Sequence, residues 1–231
     1  MYSHFFKRIL DFLLSLIALL ILSPVLIVLM IVGAIAMKGN PFFTQLRPGK
    51  IDKKTGKEKI FRLVKFRTMS NAKDKDGNFL PDDVRLNKYG KFLRSTSLDE
   101  LPELVNILIG DMSIVGPRPQ LVRDMVFMTD EQRRRHTVRP GLTGLAQCNG
   151  RNSMSWEKKF EYDLIYIKKI TLLGDLKIIF KTVGKVFKRE GIVEEGMATA
   201  EDLGDYLVRI GEVNPVDYDE KQKEARELLK V

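Results

Sequence analysis

Apolar and polar positions divide this chain unevenly. Residues 12–37, FLLSLIALLILSPVLIVLMIVGAIAM, form a run of 26 residues without a charge. One straight helix of that length reaches about 39 Å, longer than the ~30 Å bilayer core, so a membrane segment is predicted. A removable secretory signal has a shorter apolar region of about 7–15 residues. Ser23-Pro24 sits near the centre of the run. Proline lacks an amide donor and crowds the preceding turn, and the serine can satisfy the carbonyl this frees. Each half is then about 18 Å long, too short to cross alone. Lys7 and Arg8 precede the run, and Lys38, Arg47 and Lys50 follow it. Positive charge favours the cytoplasmic side. A helix broken at Ser23 and Pro24, entering and leaving one leaflet, satisfies both flanks. A kinked spanning helix is the alternative the residues leave open. Asp11 is expected to pair locally with Lys7 and Arg8.

Beyond the run, two β-prone stretches flank the polar, Gly-containing segment 52–59, which predicts a hairpin between about residues 41 and 69. Within it Phe61, Leu63 and Lys65 share one face. Residues 70–90 are rich in Asn, Asp, Gly and Pro and read as loop. Helices are expected near 97–109, 119–129, 155–169 and 174–189, and the last is basic and amphipathic. Residues 219–230 suggest a short solvated helix.

Charge sharpens this picture. The 231 residues carry a net +9, but residues 190–231 alone carry -7 and the remainder +16. One cysteine excludes an internal disulfide, and one cysteine with two histidines argues against a His/Cys zinc site. No Walker A or GxGxxG spacing is present.

The densest chemistry lies in Ser97-Leu98-Asp99-Glu100-Leu101-Pro102. Ser97 and Glu100 have capping-box spacing, so both carboxylates could simply start a helix, although Pro102 fits that poorly. The functional reading projects Asp99 and Glu100 from a helix N-terminus, where the dipole keeps Asp99 ionised as a nucleophile or Mg²⁺ ligand. In Gly116-Pro117-Arg118-Pro119, two prolines stiffen the chain around a guanidinium suited to phosphate. The run Arg133-Arg134-Arg135-His136 reads first as a solvated basic face. Asn149-Gly150-Arg151-Asn152 is a possible ligand loop. These residues suggest phosphate chemistry near a bilayer without naming a reaction.

Taken together, the blocks Lys7-Arg8…Asp11, Ser23-Pro24, Phe43-Thr44-Gln45…Arg47-Pro48-Gly49, Lys65-Phe66-Arg67-Thr68-Met69, Ser97–Pro102, Gly116–Pro119, Arg139–Gln147 and Gly150-Arg151-Asn152 resemble the bacterial sugar transferases. These are monotopic polyprenol-phosphate phosphoglycosyl transferases. The blocks occur in the family's order over about residues 1–197. Ser155–Asp163 is similar to the small members that use UDP-diacetylbacillosamine, while the acidic tail is longer than theirs. The resemblance implies a mainly helical α+β fold with a small β-hairpin and a re-entrant membrane helix at 1–38. A cytoplasmic catalytic domain at 39–197 and an acidic extension at 198–231 would follow. It implies an enzyme of the bacterial inner membrane, on its cytoplasmic face. That enzyme would move a phosphosugar from a UDP-sugar to polyprenol (undecaprenyl) phosphate and release UMP. Asp99 would be the nucleophile and hold Mg²⁺ as cofactor, and Glu100 would assist as base or positioning group. Arg118, Lys65, Arg94 and Arg151 would hold substrate phosphate. No nucleic-acid partner is expected. The rival reading is a non-enzymatic membrane-anchored module whose +16 portion binds nucleic acid or anionic lipid.

Overall fold

A computed structural model describes residues 2–150, 154–188 and 201–230. The expected division near residue 197 lies outside the described residues. The apolar run forms one uninterrupted helix, α1 (Lys7–Ala36), with Pro24 inside it. Pro24 leaves the Leu20 carbonyl without its usual amide donor. The Ser23 hydroxyl donates to that carbonyl at 2.8 Å, which accounts for helix continuing where two halves were expected. At about 1.5 Å per residue α1 is roughly 45 Å long.

One stripe of α1 is fastened to the rest of the chain along nearly its whole length. Arg8 donates to the carbonyls of Ile107 and Leu108 at 2.6 and 2.8 Å. Asp11 is buried and accepts from the Ser113 hydroxyl and the Ile114 amide. The expected local pairing of Asp11 fails, because Lys7 reaches Asp175 at 2.5 Å instead. Farther along, Ala18, Leu19 and Leu22 pack against a core of Phe61, Leu63, Leu104, Ile107 and Met112. At the far end the Tyr89 hydroxyl donates to Leu29, and Asn87 donates to Ala36. The opposite stripe, including Ile17, Leu20, Ile21, Val28, Ile31 and Ile35, is exposed.

The hairpin forms as expected, from β1 (Phe42–Ile51) and β2 (Glu58–Phe66) in antiparallel register. Its period-2 face buries Phe61 and Leu63, and Lys65 follows on the same side. Residues 70–90 are less loop-like than expected. A short α2 (Asp82–Arg85) and the start of α3 (Lys88–Thr96) fall there. The Asn87 side chain caps α3 by accepting from the Gly90 amide. Helix 97–109 begins later than expected, as α4 (Glu103–Ile109), after a 3₁₀ turn at Leu98–Glu100. Asn106 of α4 docks on β2: its amide donates to Arg62 O, and its oxygen accepts from Val64 N.

β3 (Ser113–Val115) and β4 (Gly141–Thr143) pair in parallel. A Cβ on Gly141 would stand 2.1 Å from Gly116 N, so this crossing needs glycine. Between them the expected helix at 119–129 shrinks to α5 (Val122–Met125), followed by α6 (Asp130–Arg133). α7 (Trp156–Lys168) and α8 (Leu172–Lys188) match expectation. Beyond them, α9 (Leu203–Arg209) and α10 (Pro215–Leu228) complete the described elements. Residues 219–230 are largely exposed, as expected of a solvated helix, but the segment is anchored to the body. Leu203 and Ala225 are buried with Val122, Met125, Val126 and Phe127, and Arg123 forms an ion pair with Asp202.

Candidate active site

Ser97 decides the local course of the chain. It closes α3 in the left-handed region, at φ +56°, with its amide bonded back to Leu93 and Arg94. Its side chain makes no cap, so the capping box expected with Glu100 does not form. The left-handed residue instead turns the chain into the 3₁₀ turn that carries Asp99 and Glu100. Such a conformation is uncommon for a non-glycine residue and costs of order 1–3 kcal/mol.

The cations converge on Glu100. Lys65 Nζ lies 3.0 Å and Arg118 Nη2 2.8 Å from the same Glu100 oxygen, Oε1. Lys65 also pairs with the buried Glu103 at 2.9 Å. Glu103 is a site residue the sequence reading missed, although it lies one turn beyond Asp99. Arg94 sits in the last turn of α3 and donates to the Thr68 hydroxyl at 3.1 Å. Burial lowers its pKa, and nearby Asp99 opposes that. Arg151 lies outside the described residues.

Arg118 is presented rigidly for a reason the basic run concealed. Arg135 is 1% exposed and donates to Arg118 O at 2.7 Å. It also makes two hydrogen bonds to the buried Asp163. Arg47 donates to Pro119 O at 3.1 Å. Two arginines thus grip consecutive carbonyls beside the Arg118 guanidinium, which remains 45% exposed. Glu58 accepts two hydrogen bonds from Arg133 and lies 3.1 Å from His136. The expected solvated face is therefore partly a buried brace, formed with carboxylates distant in sequence. Arg47, Leu63, Lys65, Glu103, Arg118 and Pro119 enclose a cavity of about 20 Å³, room for about one water.

The two adjacent carboxylates have opposite electrostatics. Burial, and then the charge of Glu100, push the Asp99 carboxyl up to about 6 against Lys65, Arg118 and Arg94. Burial would also raise Glu100, but the charges and hydrogen bonds of Lys65 and Arg118 outweigh it and hold Glu100 well below the usual range. Burial raises Glu103 to about 7 despite Lys65. The expected helix dipole does not lower the Asp99 pKa, which burial and Glu100 raise instead. Asp99 lies in a 3₁₀ turn ahead of a seven-residue helix and inside a crowded acidic cluster. Asp99 therefore stays mostly ionised at neutral pH while being more basic than an ordinary aspartate. Glu100 is committed to organising cations.

Among the described residues no group of three or more His, Cys, Asp or Glu side chains could hold a metal ion. Mg²⁺ usually takes one or two carboxylates, with water and substrate phosphates completing its shell. Asp99 fits that sparse mode as a single protein ligand, and a closed all-protein cage does not fit.

A family model described as bacterial sugar transferase matches residues 2–189. The uncharacterized sugar transferase EpsL of Bacillus subtilis is 49% identical over 177 residues, which cover 76% of this chain and 85% of that protein. The UDP-glucose:undecaprenyl-phosphate glucose-1-phosphate transferase of Klebsiella pneumoniae is 42% identical, covering 79% of this chain and 40% of that protein. The undecaprenyl-phosphate galactose phosphotransferase of Salmonella typhimurium is 34% identical, covering 82% and 42%. The chain thus spans about two fifths of the length of these last two relatives.

Proposed function

The chain belongs to the bacterial sugar transferase family, and from that footing we propose that it moves a sugar-1-phosphate from a UDP-sugar to undecaprenyl phosphate at a membrane surface. The observation that carries this reading is the convergence of Lys65 and Arg118 on one oxygen of Glu100, directly beside Asp99.

An Asp99 oxygen attacks the β-phosphorus of the donor. The bond from that phosphorus to the bridging oxygen breaks, and UMP leaves with the electron pair. The phosphosugar is then held as an acyl phosphate on Asp99. An oxygen of undecaprenyl phosphate next attacks the same phosphorus, the Asp99–phosphorus bond breaks, and the carboxylate is regenerated. Arg118, half exposed and rigidly based, meets the diphosphate, and Lys65 adds a second positive charge from beneath. Glu100, held ionised, is a poor proton acceptor, which supports the positioning role over the base. A bound Mg²⁺, held by Asp99, would supply charge neutralisation to the diphosphate.

The membrane reading rests on α1. It is long and apolar enough to cross a bilayer, yet the folded body grips it near both ends, at Arg8 and at Ala36. A spanning helix would draw polar groups such as Asn87 and Asp111 into hydrocarbon, at several kcal/mol each. Both ends therefore belong on the body's side, which we assign to the cytoplasmic face of the inner membrane from the flanking cations. The exposed Leu173 and Phe180 of α8 add apolar surface near the α1 start, where Lys7 and Tyr2 bond Asp175.

The donor sugar is open between classes. The similarity at Ser155–Asp163 favours UDP-diacetylbacillosamine, whereas the relatives' names carry glucose and galactose. UMP release from a panel of these donors, with undecaprenyl phosphate and Mg²⁺, tests the proposal. Turnover of at least one donor is expected. Failure of every donor would favour the non-enzymatic anchor.

A further inference from the structure

The far end of the hairpin carries a second concentration of charge that the proposed reaction does not use. A cavity of about 220 Å³ is lined there by Gly49, Lys50, Asp52, Lys59, Asp111 and Arg139, among others. Three motif segments meet at it: the end of β1 after Arg47-Pro48, the Gly110-Asp111 turn, and the Arg139-Pro140 segment. Lys59 stands six residues from Lys65 on β2, about 20 Å along the strand, and the two cavities approach one another where Gly49 and Phe61 line this one and Arg47 and Leu63 the other.

Its lining carries three cations, Lys50, Lys59 and Arg139, against two carboxylates, Asp52 and Asp111. Asp111 is taken up by Lys59 at 2.9 Å. Among the described residues Lys50 has no carboxylate partner, and its pKa is lowered by burial and then by Arg139 and Lys53. Arg139 spends its Nε on Gly110 O at 2.7 Å. Burial and then Arg8 lower its pKa in turn, against Asp11 and Asp111. Cations are thus brought together against their mutual repulsion, which an anion would relieve. Location suggests the source of that anion. Arg8 lies against Gly110 and starts the helix whose Ile9, Phe12 and Leu13 are exposed. The cavity therefore lies beside the N-terminal end of the apolar helix.

We propose that the Lys50–Arg139 cavity binds the phosphate group of an anionic membrane lipid. Ammonium and guanidinium donors suit phosphate oxygens, and the bound anion would offset the repulsion among Lys50, Lys53 and Arg139. A phosphate free in solution shares this chemistry, so the test separates the two sources.

The test uses the full chain in nanodiscs of phosphatidylcholine, with or without phosphatidylglycerol. Acetylation of Lys50 by acetic anhydride is followed by peptide mass spectrometry, with exposed Lys223 as internal reference. Phosphatidylglycerol should slow Lys50 acetylation about fivefold relative to Lys223. Protection by added inorganic phosphate in phosphatidylcholine discs would support an anion site but overturn the lipid as its source. No protection in either arm would overturn the site itself. Lys50→Gln gives a second reading. After detergent exchange it should retain less phosphatidylglycerol than the native protein, and equal retention would contradict the proposal. UMP release by Lys50→Gln in phosphatidylcholine discs should be unchanged, so this site and the catalytic reading can fail independently.

Discussion

Asp99 and Glu100 are neighbours in one turn, yet their surroundings drive them in opposite directions. Glu100 receives two cations on a single oxygen, while Asp99 absorbs the cost of burial beside that negative charge. In the metal-free protein the Asp99 carboxyl should titrate at about 6, followed by 13C NMR of labelled aspartate. A midpoint near the ordinary aspartate value, about 4, would deny the raised carboxyl. Glu103 supplies a stability test with a defined sign. Its folded pKa is about 7, above the value of 4.5 expected when unfolded. Its contribution is therefore complete below about pH 4.5 and is lost as pH rises through about 7. Glu103→Gln removes that loss. Between pH 5 and pH 8 the Tm of the variant should gain on that of the native chain, and a constant difference would refute the titration. The sequence brings Asp99 and Glu100 to notice, but it cannot reveal which one is basic. That depends on Lys65 and Arg118, 35 and 18 positions from Glu100.

Among the elements, the hairpin was legible because a period-2 pattern reports directly which face is buried. The helices after residue 97 were less so. A left-handed Ser97 and the Pro102 junction shifted the start of α4, and neither leaves a periodic trace. The Arg133–His136 run misled most clearly, because composition carries no information about its partners Glu58 and Asp163. Asp163→Asn would weaken the compensation of a guanidinium that is 1% exposed. Breaking a buried pair costs about 3–5 kcal/mol. Urea unfolding should register a loss near the lower bound, since the amide still accepts hydrogen bonds. Because Arg135 also holds the Arg118 carbonyl, KM for the donor should rise as well. An unchanged midpoint would show that the brace is dispensable. In α1, Ser23→Ala strips the Leu20 carbonyl of its donor. Amide exchange around residues 20–24 should then increase, corresponding to about 1 kcal/mol.

At the scale of the molecule, the split of a +9 chain into a basic body and an acidic end takes physical form. The acidic end packs onto the body through Leu203, Tyr218 and Ala225, as well as through the Arg123–Asp202 ion pair. The composition of residues 219–230 suggested solvation, since their apolar positions are sparse and only acquire meaning against Val122–Met128. Ala225→Asp would place an unpaired carboxylate in that contact. It should lower Tm by several degrees, whereas a freely solvated helix would tolerate it. The long apolar run was legible as a membrane element from its length alone. Its grip on the body at both ends was not, because that depends on Asn87, Tyr89 and the Ile107 and Leu108 carbonyls elsewhere in the chain.

All of these levels meet at one carboxylate, so the most direct measurement is of its covalent state. The full-length protein in nanodiscs, given Mg²⁺ and a UDP-sugar radiolabelled at the β-phosphate, should retain label when undecaprenyl phosphate is omitted. Peptide mapping should locate that label on Asp99, addition of undecaprenyl phosphate should discharge it into lipid, and Asp99→Asn should never acquire it. Label on another residue, or UMP release by Asp99→Asn at the native rate, would contradict the account.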